Sequence, residues 1–233
     1  MMETNRKIKP IAVPGIHPVF LKFFEKNTKP KSKVLDAGTG HGAIAEALYQ
    51  LGYDVIASDL NQTIYHCKNV PFVFSDITKS LPFGDEQFDA VAAVEVMEHI
   101  SDHEVFFSEV ARVLKQNGKL FISTPNILSL KSRWKFLFSG YFYSFGKLDY
   151  KTRDGLQHIS SLTIDQYAFI ADNYGLSLKT WSIDKKQNSS RWLMIIYPLL
   201  KVYGKLKSTG NYHNQINLLL GRVLLLMFEK ESV

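Results

Sequence analysis

Residues 33–42, with the sequence KVLDAGTGHG, constrain the fold of this chain more than any other stretch. An apolar run ends at Asp36, glycines follow at alternate positions, and a helical pattern begins directly after them. In that pattern apolar residues recur at the spacing of one helix face: Ile44, Ala47, Leu48 and Leu51. The stretch predicts a strand, a glycine turn and a helix, which together present backbone N–H groups at the carboxyl edge of a parallel sheet.

The spacing of these glycines distinguishes two kinds of nucleotide site. A dinucleotide site needs the pattern G-x-G-x-x-G, and here the third glycine comes one residue early. The pattern D-x-G-x-G-x-G instead resembles the first motif of the class I S-adenosylmethionine (SAM) methyltransferases, and every motif position matches. The resemblance covers residues 33–124 well and 158–183 more loosely. It implies that the loop binds SAM through the following residues: Asp36, Ala37, Gly38, Thr39, Gly40 and Gly42.

A second buried strand, Asp54–Asp59, is predicted to end in an acidic residue. In nucleoside-binding α/β folds, a carboxylate at this strand end accepts hydrogen bonds from the ribose hydroxyls. Asp59 follows Gly40 at close to the usual interval of about 20 residues. We therefore expect Asp59 to bind the ribose, with Leu60 beside it, although a helix N-cap is compatible with the same position.

A third predicted strand, Pro71–Asp76, also ends in an acidic residue. The resemblance to the methyltransferases implies that Asp76 accepts the adenine amino group, with the backbone of Ile77 beside it. It also implies that Val94 and Glu95, where a fourth strand ends, lie next to the cofactor.

Two histidines are candidates for the catalytic base. SAM carries its methyl group on a sulfonium, so transfer is an in-line displacement, and a hydroxyl acceptor must lose a proton. Histidine suits this role because its unperturbed pKa is about 6.5. His99 and His158 are both predicted in loops at the carboxyl edge of the sheet, near the cofactor.

The segment VEVMEHI, residues 94–100, also contains a candidate metal site. Glu95, Glu98 and His99 are spaced so that a helical turn would put them on one face, and with His158 they would bind Mg²⁺ or Mn²⁺. This E-x-x-E-H pattern resembles that of the ubiquinone-pathway O-methyltransferases. It also resembles metal-dependent methyltransferases of RNA 2′-hydroxyls. Alternatively, the pattern is frequent after this strand in the superfamily, with or without a metal.

The rest of the chain continues the alternation of helices and strands. Further strands are predicted at Phe88–Val94, Lys119–Thr124, Leu176–Ile183 and Arg222–Glu229. Further helices are predicted at Ile16–Asn27, from the capping pair Ser101 and Glu104 to Asn117, and from the capping pair Thr163 and Gln166 to Gly175. Alternation indicates an α/β doubly wound sheet in a single domain over residues 1–233. The resemblance implies a mostly parallel, seven-stranded, Rossmann-like sheet of order 3-2-1-4-5-7-6, with the last strand antiparallel.

The composition and the amino-terminal sequence constrain the cellular location of the protein. Its single cysteine, Cys67, excludes an internal disulfide and is predicted to be a packed thiol in the helix after the second strand. The amino terminus has no apolar h-region, so we expect no signal peptide and a cytoplasmic location. Residues 1–30 are predicted to form an extended arm and a helix that either packs on the domain or covers the cofactor.

Two segments differ from the shared core. Residues 125–160 are rich in aromatic and basic side chains, and we assign them to acceptor binding. Residues 184–217 form an insertion before the last strand. Within it, residues 192–207 are apolar with lysines and too short to span a bilayer. They are either an anchor at a membrane surface or a helix packed on the sheet or between subunits.

These features favour a SAM-dependent methyltransferase that acts on a hydroxyl of a small or lipid-linked acceptor, such as a quinone precursor or an envelope-glycan intermediate. An RNA 2′-O-methyltransferase is the alternative, because the net charge is +6 and residues 131–153 are basic and aromatic. A non-catalytic SAM-binding regulatory or scaffold protein is the alternative outside enzymes. N-methylation also remains open, because no residue of the sequence determines the acceptor atom.

Overall fold

A computed structural model describes residues 8–152, 155–160, 162–207 and 211–232. Parts of three predicted segments therefore lie outside the described residues: 1–7 of the arm, 153–154 of the acceptor segment and 208–210 of the insertion.

Seven strands form one sheet. They are β1 (Lys33–Ala37), β2 (Asp54–Asp59), β3 (Phe72–Phe74), β4 (Phe88–Val94), β5 (Leu114–Pro125), β6 (Leu176–Ile183) and β7 (Val223–Lys230). Their order across the sheet is β3-β2-β1-β4-β5-β7-β6. β7 runs antiparallel to β5 and β6, and the other neighbouring pairs are parallel. The predicted α/β class, strand order and antiparallel last strand are confirmed.

Helices cover both faces of this sheet. They are α1 (Ile16–Asn27), α2 (Ala43–Gln50), α3 (His103–Val113), α4 (Leu130–Ser139), α5 (Ile164–Asp172), α6 (Tyr197–Leu206) and α7 (Ile216–Leu220). Side chains of α1 and α2 pack with one face of β4, whereas those of α3 and α5 pack with the other. Because successive residues of a strand point to opposite faces, β4 contributes Ala90 and Ala92 to the first core and Val91 and Ala93 to the second. This central strand is therefore buried on both sides.

The bounds of α1, β2, β4 and β6 are those that the sequence pattern predicts. β3 is shorter than the predicted strand. The predicted limits of α3 are wrong at both ends, because Asp102, not Ser101, accepts the capping hydrogen bond from the Val105 N–H. The helix also ends at Val113, since Leu114 already pairs with β4, and the chain turns at Asn117 inside a register shift of β5.

The helix expected after β2 is a single 3₁₀ turn, Gln62–Ile64. The Asn61 side chain caps it by accepting a hydrogen bond from the Thr63 N–H. The prediction that Cys67 lies in a helix is therefore wrong. Cys67 is nevertheless buried as expected, and its thiol donates a hydrogen bond to Oε2 of Glu46, at 2.8 Å.

The insertion folds back onto α4. A 3₁₀ helix, Asn188–Ile196, leads directly into α6. Leu193 from this insertion packs with Leu130 of α4 and Leu219 of α7 in a small core of their own. Across the described part of the chain, none of the helices is both long and apolar enough to cross a membrane.

Candidate active site

The glycine turn after β1 follows a backbone path that glycine favours. Gly38, Gly40 and Gly42 all have positive φ, at 75°, 54° and 86°. The backbone N–H groups of Gly38 and Thr39 donate to the carbonyl of Ser58 on β2, at 2.8 and 3.0 Å. The turn is therefore attached to the strand end that carries Asp59, as the predicted nucleoside site requires.

Asp36 lies beneath this turn and is almost fully buried. The hydroxyl of Thr39 donates to Oδ2 of Asp36 at 2.5 Å. Burial nevertheless raises the pKa of Asp36 to about 7. Asp36 therefore changes charge in the neutral pH range. The next residue, Ala37, is also buried.

Asp59 holds the glycine turn through its carboxylate. Oδ2 accepts a hydrogen bond from the Gly40 N–H at 2.9 Å, and Oδ1 accepts one from the Asn61 N–H at 3.0 Å. The alternative role as a helix N-cap is wrong, because Asn61 caps the turn that follows. Leu60 beside it is exposed. The ribose contact stays a prediction.

Asp76 lies after the neighbouring strand, β3. It accepts hydrogen bonds from the N–H and hydroxyl of Thr78, at 3.0 and 2.6 Å, and pairs with Lys79 at 3.0 Å. The hydrogen bond from the Thr78 side chain is the main cause that lowers the pKa of Asp76, so this carboxyl is ionised. Ile77 is buried. The adenine contact of Asp76 and Ile77 stays a prediction.

Glu95 follows Val94, the last residue of β4, and takes a left-handed conformation, with φ of 56°. Its N–H donates to Ser123 of β5, and its Oε2 accepts a hydrogen bond from the Val13 N–H at 3.0 Å. Burial raises the pKa of the Glu95 carboxyl. The other oxygen, Oε1, is buried without a hydrogen-bond partner. A buried acceptor oxygen of this kind is expensive unless something else satisfies it.

The prediction that Glu95, Glu98 and His99 share a helical turn is wrong. The turn is a 3₁₀ helix over Met97–His99, and Glu95 precedes it with positive φ. This conformation directs the Glu95 side chain toward the N-terminal arm. The structure accordingly does not bring Glu95 into the group of potential metal ligands.

Residues 8–15, here called the arm, lie against the glycine turn. Cδ1 of Ile11 lies 2.9 Å from the point that a Cβ on Gly40 would occupy, and Nδ1 of His41 lies 2.9 Å from the carbonyl oxygen of Lys9. Helix α1 packs on the sheet, as one of the two predicted roles requires. The arm before the helix contacts the glycine turn.

Glu98, His99 and His158 meet at the carboxyl edge beyond β4 and β5. One ligand atom from each lies within 4.8 Å of the others, and the rings of His99 and His158 are 4.9 Å apart. The carbonyl of Glu98 accepts hydrogen bonds from the N–H groups of Ile159 and Ser160, at 2.9 and 3.2 Å. These backbone bonds place His158, which is distant in sequence, beside the 3₁₀ turn.

The electrostatics of this cluster are unusual. Glu98 is only 1% exposed, and burial, assisted by the charge of Glu95, raises its pKa to about 8. Burial and the neighbouring His99 lower the pKa of His158, which is therefore neutral at physiological pH. Oε1 of Glu98 and Nδ1 of His158 are buried without hydrogen-bond partners. An unpartnered carboxyl oxygen of Glu98 and an unpartnered ring nitrogen of His158, with the imidazole of His99 beside them, fit a divalent cation such as Mn²⁺.

One residue of this cluster, Thr124, was not predicted from the sequence. Its hydroxyl donates to Oε2 of Glu98 at 3.3 Å. Thr124 lies near the carboxyl end of β5, beside Ser123, which accepts from Glu95. The sequence nevertheless contained a signal for Thr124, because hydroxyl residues at the carboxyl end of a central parallel strand face the ligand edge.

The strand order, the glycine turn and the acidic strand ends together define the class I methyltransferase fold. Residues 35–122 match the family described as "Methyltransferase domain". The chain is a SAM-dependent methyltransferase, and SAM is the methyl donor of its class.

Relatives agree with this assignment. The chain is 29% identical over 179 residues to a ubiquinone biosynthesis O-methyltransferase of Coxiella burnetii, covering 70% of this chain and 71% of the relative. It is 28% identical over 196 residues to the protein of the same name from Bartonella quintana, covering 78% and 76%. A SAM-dependent methyltransferase structure from Archaeoglobus fulgidus is similar with a TM-score of 0.61 and 18% identity, covering 92% of this chain and 93% of that one.

Proposed function

We propose that this methyltransferase acts on a hydroxyl group of a small or lipid-linked acceptor, such as a quinone precursor or an envelope-glycan intermediate. The observation that carries the proposal is the cluster of Glu98, His99 and His158 at the cofactor edge. Such a cluster is useful where an acceptor must be deprotonated before it attacks the methyl group. The names of the curated relatives, which are O-methyltransferases, support the same acceptor atom.

The imidazole of His158 is suited to accept the proton. It is neutral because burial lowers its pKa, and its Nδ1 carries no hydrogen bond. The backbone bonds from Ile159 and Ser160 to Glu98 hold the ring in position. His99 is oriented by the carbonyl oxygen of Gln157, which lies 3.1 Å from its Nδ1. In this mechanism the acceptor hydroxyl lies beside the His158 ring and in line with the methyl group.

A second role for the same residues is to hold Mg²⁺ or Mn²⁺. Glu98, His99 and His158 would be its protein ligands, and a bound cation lowers the pKa of a coordinated hydroxyl. Ligation through Nδ1 of His158 would occupy the atom that otherwise accepts the proton. The two roles of His158 therefore exclude each other at that atom, and they predict different responses to chelation.

The test uses labelled methyl transfer from SAM into a cell extract, separated afterwards into lipid, RNA and small polar fractions. Label in lipid or in a polar hydroxyl compound supports the proposal, whereas label in RNA would replace it with RNA methylation. The purified enzyme is then assayed in EDTA with and without added Mn²⁺ or Mg²⁺. Loss in EDTA with recovery on metal addition supports the cation, and full activity in EDTA excludes it.

Two variants separate catalysis from binding. In His158→Gln we expect turnover to fall by about 10²-fold or more while the dissociation constant of SAM is unchanged. His213→Gln is the matched control, because His213 pairs with Asp165 and not with the cluster of Glu98, His99 and His158. This variant should retain activity. Transfer that survives substitution of both His158 and His99 would exclude these catalytic roles. Absence of transfer in every fraction, with SAM bound normally, would favour the non-catalytic alternative.

A further inference from the structure

The insertion exposes an apolar face along its length. The exposed side chains of this face are here called the apolar stripe: Trp192, Ile195, Leu199, Val202, Tyr203 and Leu206. The spacing of three and four residues puts these side chains on one side of the helical segment. Ile195, Leu199 and Leu206 are 80%, 70% and 76% exposed, so the stripe is not covered by the rest of the chain as described.

The opposite side of the same segment already packs on the protein. Leu193 is buried between Leu130 and Leu219, and Leu200 packs against this small core. The insertion therefore has two apolar faces, of which only the inner one is needed for folding. An outer apolar face of this size needs a different explanation from scattered exposed side chains.

Helix α4 extends the surface beyond the insertion. The ring of Trp134 on α4 lies 5.4 Å from that of Trp192, and Leu137 and Phe138 are 72% and 71% exposed. The apolar stripe and the outer side of α4 therefore form one continuous surface from two elements that pack together.

The two segments that form this surface carry charges of a single sign. Residues 130–139 and 188–207 contain no aspartate or glutamate. They contain the following cationic residues: Lys131, Arg133, Lys135, Arg191, Lys201, Lys205 and Lys207. Tryptophan and tyrosine at the edge of an apolar face, with lysines around it, are typical of helices that lie in a membrane interface. The complementary occupant is apolar inside and anionic at its surface.

We propose that α4 and residues 188–206 bind the surface of a bilayer that contains anionic lipids. The apolar stripe enters the boundary between headgroups and acyl chains, and the exposed cations Arg191, Lys205 and Lys207 contact the phosphates. The segment lies along the surface, since α6 has only 10 residues. Binding of this kind requires no methyl transfer and no cofactor.

The same surface leads toward the catalytic cluster. Ring contacts run from Phe136 to Phe142 at 4.6 Å, on to Phe145 at 6.4 Å, and to His158 at 5.3 Å. If the proposed function holds, an apolar acceptor dissolved in the bilayer would approach His158 along these rings.

The test measures sedimentation of the 233-residue chain with lipid vesicles, in the absence of SAM. Vesicles of phosphatidylcholine alone are compared with vesicles that also contain phosphatidylglycerol. We expect at least about tenfold tighter binding to the anionic vesicles, decreasing with added salt. The triple variant Ile195→Ser, Leu199→Ser, Leu206→Ser should lose roughly hundredfold or more in affinity. Phe169→Ser on α5, where the side chain is 71% exposed, is the matched control and should bind normally.

A second measurement locates the contact without relying on the triple variant. Brominated lipids should quench the fluorescence of the wild-type protein, and Trp192→Phe should reduce this quenching. Absence of vesicle binding by the wild-type protein would overturn the proposal, as would equal binding by the triple variant. Dimerisation that the triple variant abolishes, without any vesicle binding, would assign the surface to a second copy of the chain instead. Because SAM is absent, none of these outcomes depends on the proposed methyl transfer.

Discussion

The backbone N–H of Val13 donates a hydrogen bond to Oε2 of Glu95 at 3.0 Å, across a sequence separation of 82 residues. This bond joins the arm to the end of the central strand β4, next to the predicted methyl donor. Ile11 of the same arm lies against Gly40 of the glycine turn. The arm is therefore held over the cofactor edge by the hydrogen bond of Val13 to Glu95, by the contact of Lys9 with His41, and by the apolar contact of Ile11.

We expect Val13→Pro to accelerate SAM release, because proline has no N–H to donate to Glu95. A hydrogen bond to a charged group contributes about 1.5–3 kcal/mol, so dissociation should become roughly tenfold faster or more. Stopped-flow measurement of SAM release gives this rate. Val13→Ala retains the N–H and should release SAM at close to the wild-type rate. Slower release in Val13→Pro would mean that the arm competes with the cofactor instead of retaining it.

Asp36 should make SAM affinity depend on pH. Its pKa is about 7, and SAM is cationic, so the ionised carboxylate should attract the cofactor more strongly than the neutral acid. We expect affinity to decrease by up to roughly tenfold between about pH 8 and about pH 6. Calorimetric titration at several pH values measures this dependence. Asp36→Asn should bind SAM more weakly and lose the pH dependence, and a wild-type affinity that is constant with pH would contradict the expectation.

The stability of the protein without SAM should respond to Asp36 in the opposite direction. Its pKa in the folded state lies above the ordinary value of 3.8, so between about pH 4 and 7 the folded state binds a proton that the unfolded state does not. Ionising the carboxyl therefore costs stability, and the free energy of unfolding should decrease as pH rises from about 4 to about 7 and level off above that. Asp36→Asn should weaken this trend in thermal unfolding.

Gly42→Ala should destabilise the protein more than Gly15→Ala. Both glycines have a φ of 86°, so an added Cβ costs each about 1 kcal/mol in the left-handed conformation. A Cβ on Gly42 would also lie 2.7 Å from Cε2 of Tyr65 and 2.8 Å from Cβ of Cys67, whereas Gly15 has no neighbour within 4 Å. We expect a loss of about 3 kcal/mol for Gly42→Ala and about 1 kcal/mol for Gly15→Ala in denaturant unfolding. Equal losses would mean that Tyr65 and Cys67 both move aside without cost.

Local sequence patterns correctly predicted several helices and strands of this fold. The bounds of α1, β2, β4 and β6 follow from apolar spacing and punctuating residues, which act over a few positions. The predicted ends of α3 were wrong because competing interactions determine where this helix begins and ends. Asp102 replaced Ser101 as the cap, and pairing of Leu114 with Phe88 ended the helix early. Strand pairing is a contact between distant residues, which a local capping pattern does not contain.

The sequence alone determined the class of this protein, because the glycine turn and the acidic strand ends are short, contiguous patterns with a direct physical role. It also identified Glu98, His99 and His158 as a group with related chemistry. Only the tertiary structure decided that Glu95 leaves this group for Val13, and that α4 and the insertion form one exposed apolar surface. These relationships join residues far apart in the chain, and they depend on the backbone turn at Glu95 and on packing between elements, which no local spacing encodes.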